Sequence, residues 1–380
     1  MVVFFAVFFT VYAGINYYIF IRGWQALSYL PHFRIIYLII FLAVSLSFIL
    51  SKIFIRIIPP FLYELMPWIG SFWFAYMLYF VLFIVFFDLL RLLNHFVNIF
   101  PSFVSDNYNF SKLGLFILIA VIASVIVAAG YINTRIIKIK NLDVTLRKGS
   151  SPLQEFNIAA FSDIHLTAMN DEKLLSRIVD KVNSLNPDIV LIPGDFADEK
   201  TGWLESRGIG DSFFKLNPRY GVFASTGNHE FIVGLNDLKK FIGDHNIKLL
   251  RDEIILVDSS FYIAARDDYS KKQFTGIDRK PLNEILNNRD KDLPVILMDH
   301  TPFGLDDAAK NEVDLQLSGH THHAQLFPLN FLTGLIYEKD WGYLKKGNTQ
   351  YYVSCGAGTW GPPVRTGSPT EIVNIKIKFE

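Results

Sequence analysis

Charge is distributed so unevenly along this chain that one globular core cannot be built from all of it. Of 36 basic and 36 acidic residues in 380, only Arg22, Arg34, Lys52, Arg56, Glu64, Asp88, Arg91, Asp106 and Lys112 precede Asn133. The stretch they punctuate holds four long apolar runs, at about 1–21, 35–58, 68–90 and 113–132. Roughly 20 such residues, coiled as a helix, cross the hydrocarbon of a bilayer, where the backbone must satisfy its own polar groups. The expectation is a transmembrane region of four helices over 1–132, with Pro31, Pro59, Pro60, Pro67 and Pro101 in its connections. A cleaved leader is the alternative for the first run, which lacks the basic start and small-residue cleavage site of one.

Four spans place both chain ends on one side of the membrane. That side collects Lys52, Arg56, Arg135, Lys138 and Lys140, against Arg22, Arg34, Arg91 and Lys112 opposite. The positive-inside tendency then gives a multi-pass protein of the cell membrane with a cytoplasmic C-terminal half. In "DLLRLLNH", Asp88, Arg91 and His95 fall at helical spacing. An ordinary ion pair at a membrane boundary explains them more simply than a functional cluster.

From Asn133 onward the composition is that of a soluble domain. Five short runs, "FNIAAFSDIH", "PDIVLIPGD", "YGVFASTGNHE", "LPVILMDH" and "VDLQLSGHTHH", each pass from β-branched residues into a polar cluster. Continuous apolar runs of that length suit strands buried on both faces. Between the first two, Leu174, Ile178, Val182 and Leu185 recur at helical spacing, with Asn170 or Asp171 placed to cap and Pro187 to stop; a second helix is predicted over 235–244. The pattern predicts an α/β domain over 151–380 with a largely parallel core sheet, reached through a connector or edge strand at 133–150. The balanced charge argues against nucleic acid as a partner. The single cysteine, Cys355, excludes an intrachain disulfide framework.

Each polar cluster carries side chains able to bind metal. Ligand sites in open α/β sheets lie beyond the carboxyl ends of the strands, so the five loop tips are expected to converge. They bring Asp163 and His165, then Asp195, Asn228 with His229, His300, and His320 with His322. Carboxylates, imidazoles and an amide suit a divalent zinc, manganese or iron ion. Even the seven besides His229 exceed what one tetrahedral ion can use, whereas two ions sharing a carboxylate would use them well.

The five clusters, read as "DIH", "GDFAD", "GNHE", "DH" and "GHTH", resemble in content and order the signature of the calcineurin-like metallophosphoesterases. The tail "YYVSCGAGTWGPPVR" is similar to that of the membrane-associated bacterial phosphodiesterases within that family. The resemblance implies a four-layer αββα sandwich with two mixed sheets. It implies that Asp163, His165 and His322 hold one divalent ion, that Asn228, His300 and His320 hold another, and that Asp195 bridges the two. A hydroxide shared by the ions would attack a phosphoester, with His229 as general acid at the leaving group. Asp198, Glu230 and Asp299 are candidates for orienting the ligand imidazoles.

One departure from the family pattern stands in the last motif, where His323 and Ala324 replace two glycines. His323 is expected to shape the pocket rather than add a ligand. Arg365 has two readings, a fork for substrate phosphate or a surface ion pair. The apolar stretch "LFPLNFLTGLIYEKDWGY" has three: a core hairpin, a lip dipping into the membrane, or a wall for acyl chains. The membrane tether favours a lipid-linked phosphoester, or one delivered from the bilayer, as substrate. Two rivals are a catalytically silent metal scaffold or sensor, and the regulatory domain of a transporter built from the helices.

Overall fold

The computed structural model describes residues 2–53, 59–146 and 151–380. They form two compact units, one of Met1–Tyr131 with Gly361–Val364, the other of Ile132–Trp360 with Arg365–Glu380.

The first unit is helical: α1 (Val2–Ala26), α2 (Arg34–Ile53), α3 (Pro60–Val97) and α4 (Tyr108–Thr134). Among the described residues, three stretches, Pro31–Ile53, Leu65–Val97 and Tyr108–Thr134, are long and apolar enough to cross a membrane. Helix α1 follows the first apolar run and continues five residues beyond it, through Arg22, to Ala26. The expected second run extends to 58, but 54–58 lie outside the described residues. Helix α3 has 38 residues, a rod of about 57 Å against roughly 30 Å of hydrocarbon. Its C-terminal turns are therefore long enough to carry Asp88 and Arg91 toward headgroups.

Asp88 and Arg91 do not pair with each other, as the sequence spacing suggested. Asp88 accepts from the Tyr18 hydroxyl at 2.6 Å and meets Arg22 of α1 at 2.5 Å, while Arg91 reaches the Tyr108 hydroxyl at 3.4 Å. Deeper in the bundle, Trp73 Nε1 donates to Asn16 Oδ1 at 2.9 Å and Asn16 Nδ2 to the Tyr12 carbonyl at 2.8 Å. Polar side chains among apolar helices find partners across the interface because no water can supply them.

In the second unit the strands are β1 (Ile137–Leu146), β2 (Glu155–Ala160), β3 (Ile189–Pro193), β4 (Val222–Ser225), β5 (Ile247–Leu249), β6 (Glu253–Val257), β7 (Phe261–Ala265), β8 (Val295–Met298), β9 (Leu315–Ser318), β10 (Gly342–Lys346), β11 (Thr349–Val353) and β12 (Thr370–Phe379). They form two six-stranded sheets, ordered β1-β12-β2-β3-β4-β5 and β10-β11-β9-β8-β7-β6. Strands β2 to β5 run parallel, as do β7, β8, β9 and β11, while β12 is antiparallel to β2, β10 to β11 and β6 to β7, so both sheets are mixed. Segment 133–150 supplies β1, an edge strand parallel to β12; 147–150 lie outside the described residues.

The sheets face each other through one apolar layer that includes Ile158, Leu191 and Ile375 from one and Ile263, Ile296 and Leu317 from the other. Alternate residues, Val190 and Ile192 among them, point outward onto α5 (Glu172–Asn183), which buries Leu175, Ile178 and Val182 against them. Burying each such side chain is worth about 1.5–3 kcal/mol. The Asp171 side chain caps α5 by accepting from the Leu174 amide at 3.1 Å, the sort of contact worth about 1 kcal/mol. Short helices carrying Leu282, Ile285 and Ala308 cover the outer face of the second sheet. The result is a four-layer αββα sandwich, with the ends of β2, β3, β4, β8 and β9 bringing all five motifs to one edge.

Candidate metal centre

The predicted ligands come together. Asp163, His165 and His322 place ligand atoms within 4.8 Å of one another, and so do Asp195, His300 and His320. His165 Nε2 lies 3.0 Å from His322 Nε2 and 3.6 Å from Asp195 Oδ2. On the other side His300 Nε2 is 3.1 Å from Asp195 Oδ2. Asn228, which opens the short helix α6 (Asn228–Val233), sets its Oδ1 2.9 Å from His320 Nδ1. Asp195 therefore stands between the two clusters, in the position a shared ligand needs. His165, Asp195 and His229 make a third close grouping.

The backbone at these positions is strained. Asp163, His165, Asp195, His320 and His322 have φ of 53°, 48°, 58°, 73° and 49°, in the left-handed region that side chains ordinarily avoid. Such residues cost on the order of 1–3 kcal/mol each and persist only where the surroundings hold them. Two glycines make the convergence possible. A Cβ at Gly227 would collide with the Asp195 carboxylate, and one at Gly319 with those of Asp163 and the Ser162 side chain.

The donor set fits divalent cations. His300 Nδ1 lies 2.7 Å from the Pro193 carbonyl and donates to it, so the ring in its neutral form would turn a lone pair inward at Nε2, a buried atom with no hydrogen-bond partner among the described residues. His165 Nδ1 is bound to the Asp198 carboxylate at 2.6 Å, which likewise leaves Nε2 as an inward lone pair. Burial opposes protonation of His300, yet the Asp195 and Asp163 carboxylates outweigh it and raise its pKa. A cation would meet that same negative field. For His322, burial together with the charges of His165 and Arg365 holds the ring neutral, the form in which an imidazole ligates.

A calcineurin-like phosphoesterase model matches residues 156–324, all five motifs included. An uncharacterized metallophosphoesterase of Aquifex aeolicus is 33% identical over 262 residues, covering 68% of this chain and 98% of its own. The chain belongs to the calcineurin-like metallophosphoesterase family. A Danio rerio "transmembrane protein with metallophosphoesterase domain" is 31% identical over 279 residues, 69% of this chain and 62% of that one. An uncharacterized metallophosphoesterase of Helicobacter pylori is 31% identical over 243 residues, 63% and 64% respectively. The chain thus spans less than two thirds of the length of these last two relatives.

Around the metallophosphoesterase motifs, one of the three acidic candidates orients imidazoles. Asp198 Oδ1 holds both His165 Nδ1 at 2.6 Å and His229 Nδ1 at 2.7 Å. Burial works against a charged His229, but its bond to Asp198 and the charge of Asp195 prevail and push its pKa up to about 9. Glu230 touches no imidazole; it accepts the backbone amides of Asp195 at 3.0 Å and Phe196 at 2.8 Å, and that of Gly227 as well. It pins the turn that carries Asp195. Asp299 is likewise turned away, meeting Arg279 at 2.8 Å and Arg266 at 3.4 Å. The Glu230→Ala variant would leave those three buried amides without an acceptor, at roughly 1–3 kcal/mol each. Even at the lower value for each amide, about 3 kcal/mol together, the Tm of the variant should fall by at least roughly 6–12 °C, given about 2–4 °C per kcal/mol in a domain of this size.

His323 points away from both clusters to Asp340 Oδ2 at 2.6 Å, and Thr333 Oγ1 donates to the same oxygen at 2.7 Å. Arg365 fits neither expectation, since it is 0% exposed. Its guanidinium donates to the carbonyls of Cys355, Gly358 and Pro369, at 2.6, 2.6 and 2.9 Å, and lies 3.1 Å from His322 Nδ1. It braces the tail against the last motif. Sequence reading also missed "FYIAARDD", which ends β7 in the same strand-then-polar manner. Asp268 there accepts from Thr301 Oγ1 at 2.6 Å, and its amide donates to Thr226 Oγ1 at 3.1 Å, tying together the loops that bear His300 and Asn228.

Proposed function

We propose that the protein is a membrane-anchored, metal-dependent phosphoester hydrolase holding two divalent ions. Asp163, His165 and His322 would hold one ion, Asn228, His300 and His320 the other, with Asp195 between. The observation that carries this reading is the placement of Asp195 Oδ2 at 3.1 Å from His300 Nε2 and 3.6 Å from His165 Nε2, one carboxylate serving both clusters. When bound, such a pair of ions supplies Lewis acidity toward phosphoryl oxygens and lowers the pKa of water. The chain supplies the rest. His229 is held through Nδ1 by Asp198, which frees Nε2 to hand a proton to the departing oxygen. Trp360, 58% exposed, lies 6.3 Å ring to ring from His229 and offers a wall for the leaving group. The test is turnover of a phosphoester panel, membrane lipids included, by full-length protein reconstituted with zinc, manganese or iron. No turnover of any member with any metal would end the proposal and favour a silent scaffold.

The substrate class follows from the stretch after the last motif. It forms helix α7 (Asn330–Ile336), packed beside the His322–Ala324 turn, rather than a core hairpin. Phe327, Phe331, Leu332, Leu335 and Ile336 are exposed, Leu335 to 84%. A contiguous apolar surface of this kind marks contact with lipid or an apolar ligand, and this chain also carries apolar helices long enough to span a bilayer. A phosphoester of lipid character is therefore the substrate class that fits. Phe331→Ser with Leu335→Ser should leave hydrolysis of a small chromogenic diester within about twofold while cutting that of a vesicle-borne phospholipid roughly tenfold or more, from two lost apolar contacts. Equal losses on both substrates would remove the lipid reading and leave the hydrolase reading standing. A cytoplasmic side for the domain is supported by the basic residues Arg135, Lys138 and Lys140 near the α4 end, and protease accessibility in sealed vesicles tests it.

A further inference from the structure

Within the helical unit, α1 to α4 line a half-open cavity of about 290 Å³, near the lower end of pockets that bind small molecules. Its two ends differ in chemistry. Phe41, Val44, Trp73, Phe80, Ile84 and Ile119 make an apolar wall toward the middle of the helices. Toward the helix ends joined by the α1–α2 and α3–α4 connections, the lining is Arg22, Asp88, Arg91, Tyr108 and Lys112.

Those charges do not cancel. Arg22 is neutralised by Asp88 at 2.5 Å. Among the described residues, Arg91 meets only the Tyr108 hydroxyl, at 3.4 Å, and Lys112 lies over the Tyr108 ring at 4.9 Å. Among the described residues of the lining, Asp88 is the one carboxylate against three cations. Two cations beside an apolar chamber, at the depth where charges meet headgroups, lack a counter-anion from the lining.

We propose that this cavity is a binding site for an anionic phospholipid of the surrounding bilayer. An acyl segment fills the space between Phe41 and Ile84, and the phosphate sits against Arg91 and Lys112. Charge complementarity selects this occupant over a zwitterionic lipid, whose own cation would face the same pair. The site is separate from the metal centre and does not depend on the hydrolase reading.

The experiment is titration of full-length protein in mild detergent with phosphatidylglycerol or phosphatidylcholine of equal chain length, bound lipid being read by native mass spectrometry. A basic residue near a membrane surface is worth about 1 kcal/mol toward anionic lipid, so two give a preference of roughly 30-fold, about 2 kcal/mol. One saturable phosphatidylglycerol per chain at that preference is expected. Arg91→Gln with Lys112→Gln should reduce the preference to a few-fold, Arg91→Lys with Lys112→Arg should retain it, and Ile84→Trp should displace lipid by filling the chamber. Equal uptake of the two lipids by the native protein overturns the proposal, whatever the variants do. So does unsaturable uptake of many lipids per chain, or a preference that survives the double glutamine change.

Discussion

Asp195→Asn is expected to abolish turnover of a chromogenic phosphodiester, by roughly 10³-fold or more, while the protein remains folded. Removing one group that stabilises developing charge typically costs 10²–10³, and here a single change strikes both clusters. Asp195 Oδ2 is 3.1 Å from His300 Nε2 and 3.6 Å from His165 Nε2, and Oδ1 accepts the His229 amide at 3.0 Å. An amide keeps the shape of the side chain but carries no negative charge to place between two cations. The turn itself should survive, because Glu230 holds the Asp195 amide and the Asp195 carbonyl accepts from Ile164 at 2.9 Å and His165 at 3.1 Å. Metal analysis and turnover are to be read together. Two ions per chain in the native protein and one or fewer in the variant is the expected result. A variant that keeps both ions and its full rate would mean that Asp195 is not shared.

The convergence of the candidate ligands was legible because they follow strands whose apolar runs announce themselves. Val190 and Leu191 are both fully buried, one on each face of the first sheet, so the run ends where the polar Asp195 must leave the core. What local pattern could not reveal was pairing between distant segments. Ile137 of β1 pairs with Thr370 of β12, an alignment set by packing across more than half the chain. The same limit explains Arg365. An arginine reads as a surface or substrate residue, and only the folded tail gathers the carbonyls of Cys355, Gly358 and Pro369 around it. Glu230 was misassigned for a related reason, since its three amide partners belong to two loops that meet only in the folded chain.

Asp198 provides the second large expected effect. Its Oδ1 is the shared acceptor for Nδ1 of His165 and of His229, so one oxygen orients the proposed ligand and the proposed acid together. Losing an acceptor behind a ligating imidazole costs about 10–100-fold in metal affinity or activity, and losing a positioned acid costs about 10²–10⁴. Asp198→Ala should therefore lower kcat/KM by roughly 10³-fold or more, with metal binding weakened by the smaller factor. His229→Ala should lose the acid alone and keep its full metal content. Because both changes remove the same proton donor, their effects should not add, as residues acting as a unit do not. In the double variant, His229→Ala should cost less than tenfold beyond Asp198→Ala. Fully multiplicative losses would mean that Asp198 works through His165 only, and the proton would then have to reach the leaving oxygen from another group.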